Sequence, residues 1–164
     1  ESIKSLEEAL KFVKKDSEFE GQLKVEIAVA VMLDGMFTPV VDERKLLQSF
    51  QILKEVALNE NYPAKTRSRA LTRIADFMTN HFSSRLPEIA EKTVFTGPIF
   101  ADFIKEKSAY VAIGQVYELA ANLFPNPVAE YRAAHSFAEA LFTDKNLSKE
   151  IFLTQNIFRN KFSR

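Results

Sequence analysis

An all-α fold is predicted by the periodicity and the composition of this sequence. Apolar residues recur at the i, i+4, i+7 spacing of one helical face along most of the chain. Fifteen Phe, no Trp and only four Gly favour a packed helical core over a turn-rich β fold. The chain of 164 residues is predicted to form one domain, residues 1–164, because this is the usual length of a single domain, and it should bury about 70% of its unfolded surface, which is enough for a core.

The first helix is predicted over Ser2 to Glu20, and Gly21 is predicted to separate it from a second segment, Gln22 to Phe37. The predicted buried face of the first helix carries Ile3, Leu6, Leu10 and Val13. The second segment fits two structures. Its alternating apolar residues and Asp34-Gly35 could form a β-hairpin, whereas Ala28, Ala30 and Met32 make the other face apolar too, as in a buried helix. We favour the helix, because a lone hairpin would leave uncovered strand edges.

Two helix pairs are predicted next, and each turns at a proline. The first pair begins at Asp42 as N-cap and turns at Asn59 to Pro63. Its apolar stripes are Leu46, Leu47, Phe50, Leu53 and Ala57, then Leu71, Ile74, Ala75, Met78 and Phe82. The second pair starts near Ala112 and turns at Pro125-Asn-Pro127. The predicted stripe of its second helix is Val128, Tyr131, Ala134, Ala138 and Leu141.

Shorter helices complete the prediction of eight or nine. Pro87 is expected to open one that reaches about Phe95, Gly97-Pro98 to restart the chain, and Ser148 to cap a last helix. The 108–142 pair resembles a tetratricopeptide-type (TPR) repeat, which spans about 34 residues, at Ile113-Gly114, Tyr117, Tyr131 and Ala134. The resemblance implies a superhelical array of stacked antiparallel helix pairs that binds proteins.

Residues suited to catalysis or metal binding are scarce. The absence of Cys excludes disulfides, thiolate catalysis and Cys-ligated zinc. His135 and Glu139 could share a metal at i, i+4, but a core or half-buried histidine is the favoured interpretation; His81 is interpreted as a structural residue at a helix end. There is no Gly-x-Ser-x-Gly elbow and no phosphate-binding glycine loop. The sequence therefore predicts no enzyme activity, no metal and no cofactor.

One charged feature stands out in a chain of zero formal net charge. Residues 61–85 hold five basic residues against Asp76 alone, and residues 145–164 are similarly basic. Lys65, Arg69 and Arg73 are spaced by four, which places them on one helical face. This basic row fits a solvated face paired with acids of the same chain, or a binding site for an acidic peptide. Nucleic acid is disfavoured by a pI near 7.1.

The predicted function is a non-catalytic protein-binding or assembly scaffold whose partner is another protein or peptide. The alternative is a helical domain that encloses an apolar small molecule in its Phe-rich interior. The longest apolar run, Ile27 to Leu33, is too short to span a bilayer. Because the sequence begins at Glu1 rather than Met, a removed signal or anchor is one expectation for what precedes it, and the compartment is left open.

Overall fold

The computed structural model describes residues 2–80 and 109–143, which form six α-helices and contain no β-strand. The helices are α1 (Ser2–Leu10), α2 (Glu18–Met36), α3 (Glu43–Leu58), α4 (Ala64–Asn80), α5 (Ala109–Leu123) and α6 (Pro127–Thr143). The all-α class is thus confirmed for these ranges. The helices predicted at Pro87, after Gly97-Pro98 and at Ser148 lie outside the described residues, as does Phe82. No helix within the described ranges is long and apolar enough to cross a membrane.

The prediction of one helix from Ser2 to Glu20 is wrong, because the chain breaks at Leu10 and restarts at Glu18. Asp16 has a positive φ of 57°, which a helix does not accept, and the Ser17 hydroxyl caps α2 by accepting from the Glu20 N–H. Gly21 lies inside α2 and does not separate two helices as predicted. A Cβ at Gly21 would lie 2.8 Å from the Thr66 methyl group, so the glycine permits close contact with α4.

The second segment is a helix, as favoured, and its strand-like alternation comes from two helical stripes that interleave. Leu23, Ile27 and Val31 pack against the apolar residues of α1 and its following turn. The other stripe, Val25, Ala28 and Met32, belongs to the main core. Asp34 and Gly35 lie in the last turn of α2 rather than in a hairpin. Burial on two faces thus explains why the pattern fitted both structures.

Consecutive helices from α2 to α6 pack side by side and run antiparallel. Gly35 near the end of α2 lies against Lys45 and Leu46 at the start of α3, and the Ser49 hydroxyl donates to the Ala28 carbonyl at 2.6 Å. The predicted Asp42 cap of α3 is present, since its side chain accepts from the Arg44 N–H. Every residue of the first predicted stripe is buried except Leu47, which is 37% exposed. The core runs through α2, α3, α4, α5 and α6 without interruption.

The predicted buried face of α6 is wrong. Val128 and Tyr131 are 54% and 65% exposed, and Ala134 and Ala138 are only partly buried. The buried stripe is shifted by about one residue, to Ala129, Ala133, Phe137 and Ala140. Phe137 fits against Gly114 of α5, where a Cβ would lie 2.6 Å from its ring. Small residues on this face let the two helices approach closely, so the alanine face is buried and the Val128–Tyr131 face is exposed.

Candidate functional site

The basic row lies along α4 and lines an open groove of about 450 Å³. Lys65, Arg69 and Arg73 form one wall together with the hydroxyl residues Ser68 and Thr72. The turn between α5 and α6 forms the opposite wall, through Phe124, Pro125, Asn126 and Pro127. Arg132 of α6 lines the same groove. Three elements of the fold therefore contribute to this site, which we call the basic groove.

The packing of α4 fixes the direction of the row. Ala70, Leu71, Ile74 and Met78 are buried in the core, so the residues that alternate with them at helical spacing face outward. The buried Ser68 hydroxyl donates to the Ala120 carbonyl of α5 at 2.7 Å. This bond connects the wall that carries the row to the helix that leads into the opposite wall. The amide oxygen of Asn126 accepts from the Ala129 N–H at 3.2 Å and caps the start of α6.

Two members of the row also contact acids of this chain. Arg69 forms an ion pair with Glu26 of α2, and both side chains remain nearly half exposed, at 45% and 44%. Arg73 Nη1 lies 3.5 Å from Asp76 Oδ2. Among the described residues, Lys65 forms no ion pair. One interpretation of the basic row was that its cations pair with acids of the same chain, and this applies to two of the three cations. Ion pairs between side chains that remain partly exposed contribute little free energy, so these cations are held only weakly.

Asp76 organises the inner end of the groove. Its carboxylate accepts a hydrogen bond from the Tyr117 hydroxyl at 2.7 Å and another from Arg132 Nη1. The Asp76 side chain is only 13% exposed, whereas the side chains of Arg73 and Arg132 are 41% and 43% exposed. Two guanidinium groups therefore converge on one carboxylate and leave their outer N–H groups towards solvent.

Electrostatics at this end follow from burial and from the shared carboxylate. Burial raises the pKa of the Tyr117 phenol, and its hydrogen bond to Asp76 raises that pKa further, so Tyr117 is a neutral donor at every physiological pH. Partial burial works to lower the pKa of Arg132, but the charge of Asp76 and the interactions of Arg132 with Asp76 and Tyr117 together outweigh it, and the pKa is raised. The arginine is permanently cationic.

A second depression of about 400 Å³ continues the groove beyond Asp76. It shares Arg73, Asp76 and Arg132 with the first and adds Thr79, Tyr117, Tyr131, His135 and Ser136. The interpretation of His135 as a core or half-buried residue is wrong, because its side chain is 58% exposed. Its Nε2 lies 3.8 Å from Glu139 Oε1. No group of three or more potential metal ligands occurs within residues 2–80 and 109–143, and His81 lies outside these ranges.

Arg132, Asp76 and Phe124 also line the site, although the sequence did not predict them there. Arg132 is separated from Asp76 by 56 positions and had no local pattern to mark it. Pro125-Asn-Pro127 had been interpreted only as a turn, and Phe124 only as part of the apolar run of the helix before it. Comparison of the chain with protein-family models, with characterised proteins and with solved structures gives no match. The TPR-like resemblance therefore stays a prediction.

Proposed function

We propose that this chain is a non-catalytic protein-interaction module, built from stacked helix pairs of TPR-like arrangement, that holds an acidic segment of another protein in the basic groove. The observation that carries the proposal is the arrangement of its cations. Lys65, Arg69 and Arg73 share one groove with Arg132 from a distant part of the sequence, and Asp76 is the only carboxylate among the described residues that line the first depression.

The charge of the groove favours acidic partners for a physical reason. Four cations beside a single carboxylate produce a positive potential in a concave surface, which attracts anions and raises their association rate. Exposed cations hold their own acids weakly, so a peptide with several acidic residues can compete with Glu26 for Arg69. The hydroxyls of Ser68 and Thr72 also line the groove, but both already donate to backbone carbonyls of this chain, so the cations are the groups that attract a ligand.

The alternative function, an enclosed site for an apolar small molecule, receives less support. Such a site is a chamber that buries most of its ligand behind apolar walls. Both depressions described above are open to solvent and carry charged side chains on their walls. An extended polymer that lies along an open groove fits this shape better than a compact apolar ligand does.

A charge-removal variant tests the proposal. Replacement of Lys65, Arg69 and Arg73 by Gln keeps a polar side chain of good helix propensity and removes three charges. Binding of a fluorescein-labelled hexaglutamate peptide, measured by fluorescence anisotropy, should weaken about tenfold or more, as expected for three partly exposed ion pairs. The same loss should follow in unmodified protein when salt rises from about 0.05 M to about 0.5 M.

A matched control separates the groove from net charge. Lys11, Lys14 and Lys15, in the turn after α1, can be replaced by Gln to remove the same charge from residues that do not line the groove. This control should bind hexaglutamate nearly as well as the unmodified protein. Equal weakening in the two triple variants would show that attraction is only non-specific, and the proposed function would then be wrong.

A further inference from the structure

The basic groove is not uniform along its length, and its two ends differ in chemistry. At one end the turn between α5 and α6 presents Phe124, which is 39% exposed, together with Pro125 and Pro127. At the other end Arg73 and Arg132 converge beside Asp76. The contacts of α5 fix this order. Tyr117 lies at the level of Asp76, Ala120 lies at the level of Ser68, and Phe124 follows one turn later towards the start of α4.

The length between these ends can be obtained from helix geometry. Lys65 and Arg73 are eight residues apart on α4, and a rise of 1.5 Å per residue places them about 12 Å apart. An extended peptide advances about 3.3 Å per residue, so roughly four residues span this length. A side chain that contacts Phe124 is then followed, or preceded, by one that reaches Arg73 and Arg132 about four positions away.

We propose that the groove recognises a spaced pair of features in an extended peptide: an apolar side chain on Phe124, Pro125 and Pro127, and an acidic side chain about four residues away between Arg73 and Arg132. This inference rests on the proposed function and adds the chemistry and spacing of the partner segment. The apolar end supplies dispersion and burial, and the acidic end supplies charge-assisted hydrogen bonds.

Asp76 gives the acidic end its geometry. Because Tyr117 and Asp76 are largely buried and bonded to each other, the carboxylate is fixed, and it holds both guanidinium groups at the groove before a ligand arrives. Preorganised donors lose less conformational entropy on binding than mobile surface arginines. Arg132 is therefore a specificity-determining residue of this site, although it is not part of the basic row.

The test uses labelled peptides of identical composition. Each carries one Phe, one Glu-Glu pair and a fixed number of Ser, and only the number of residues between Phe and the acidic pair varies, from none to seven. We expect the tightest binding at about three intervening residues and about fivefold weaker binding with none, which cannot reach both ends. A peptide with Ser in place of Phe should bind weakly at every spacing.

Two variants localise the effect. Phe124→Ser should remove the advantage of Phe without changing the binding of the peptide that lacks it. Arg132→Gln should remove the dependence on spacing. Val128→Ser is the matched control, since Val128 is an exposed apolar residue close to the same turn but does not line the groove. Thermal unfolding of each variant verifies that the fold is kept.

The outcomes distinguish this inference from the proposed function. Affinity that is the same at every spacing and in Phe124→Ser, yet is lost in the Lys65, Arg69 and Arg73 triple variant, overturns the spaced recognition and leaves the acidic-partner function standing. Binding that needs Phe but not Glu also overturns the inference. Failure of every acidic peptide to bind more tightly than an all-Ser peptide overturns both.

Discussion

Two regions of this molecule combine a carboxylate, a cation and a tyrosine hydroxyl, and they use the combination differently. In the first triad, Tyr62 donates to Glu20 at 3.0 Å, while Lys24 Nζ lies 3.0 Å from Glu20 and donates to the Tyr62 hydroxyl at 3.1 Å. In the second triad, Tyr117 and Arg132 both donate to Asp76. Each triad joins parts of the fold that are distant in sequence.

The two triads differ in charge balance and in access. Lys24 faces one carboxylate and its side chain is 28% exposed, so the first triad is neutral and largely covered. Asp76 is shared by Arg132 and Arg73, whose side chains are more than 40% exposed and border the basic groove. The first triad, which we call the covered triad, is balanced in charge and fastens α2 to the turn between α3 and α4. The second triad, which we call the open triad, is unbalanced and leaves positive charge available to a ligand.

The largest effect on stability is expected from a substitution on the buried face of α6, the helix that carries Arg132 of the open triad. Arg132 faces the groove because its neighbour Ala133 is fully buried in the core. Ala133→Asp would bury an unpaired charge and should lower the free energy of unfolding by about 3 kcal/mol or more. Urea denaturation measures this loss.

The adjacent position provides the control. Ala134 is partly buried, so its Asp variant can direct the carboxylate towards solvent and should cost clearly less than Ala133→Asp. The opposite order, with Ala134→Asp more destabilising, would restore the buried face predicted from the sequence and would turn Arg132 away from the groove.

An intermediate effect is expected from the covered triad, through pH. Partial burial works to raise the pKa of Glu20, but hydrogen bonds from Lys24, the Asp16 N–H and Tyr62 outweigh it and lower this pKa below its ordinary value of 4.5. A lowered folded-state pKa stabilises the protein above about pH 4.5, and the stabilisation is lost as pH falls through the folded-state value. Glu20→Gln should therefore cost about 1 kcal/mol at pH 7 and much less near pH 3.

Chemical denaturation of the two proteins at several pH values measures this difference. Hexaglutamate binding to Glu20→Gln at pH 7 should match that of the unmodified protein, because the covered triad is not part of the groove. A stability difference that is constant from pH 3 to pH 7 would mean that the charge of Glu20 contributes nothing. Weakened binding would mean that the two triads are not separate in function.

The sequence was a good guide to those helices whose ends carry strong local signals. The Asp42 side chain supplies the N-cap of α3, and Pro63 immediately precedes α4, so both boundaries could be predicted. The break after Leu10 depends on Asp16 at positive φ, a conformation that no local pattern announces. The face of α6 could not be determined either, since two apolar stripes compete there and the contact of Phe137 with Gly114 decides between them.

The candidate site was predictable only where it lies on a single helix. The four-residue spacing of Lys65, Arg69 and Arg73 identified one wall from local geometry. The opposite wall and Arg132 depend on how α5 and α6 pack against α4, which is a long-range property. Charge periodicity within one segment therefore predicts a face, whereas tertiary packing determines which residues complete a groove.

The smallest effect is expected for the pair that defines the open triad. Arg132 is 43% exposed, so Arg132→Gln should lower the free energy of unfolding by only about 0.5 kcal/mol.

Asp76→Asn should lower the free energy of unfolding by more, because the buried Tyr117 hydroxyl loses a charged acceptor. A double-mutant cycle on Asp76 and Arg132 should give a coupling of about 0.5 kcal/mol, because the arginine is nearly half exposed to water. The covered pair of Glu20 and Lys24 should couple more strongly, since less water screens it. A larger coupling in the open pair would show that Arg132 is held mainly for stability, and the contrast between the two triads would disappear.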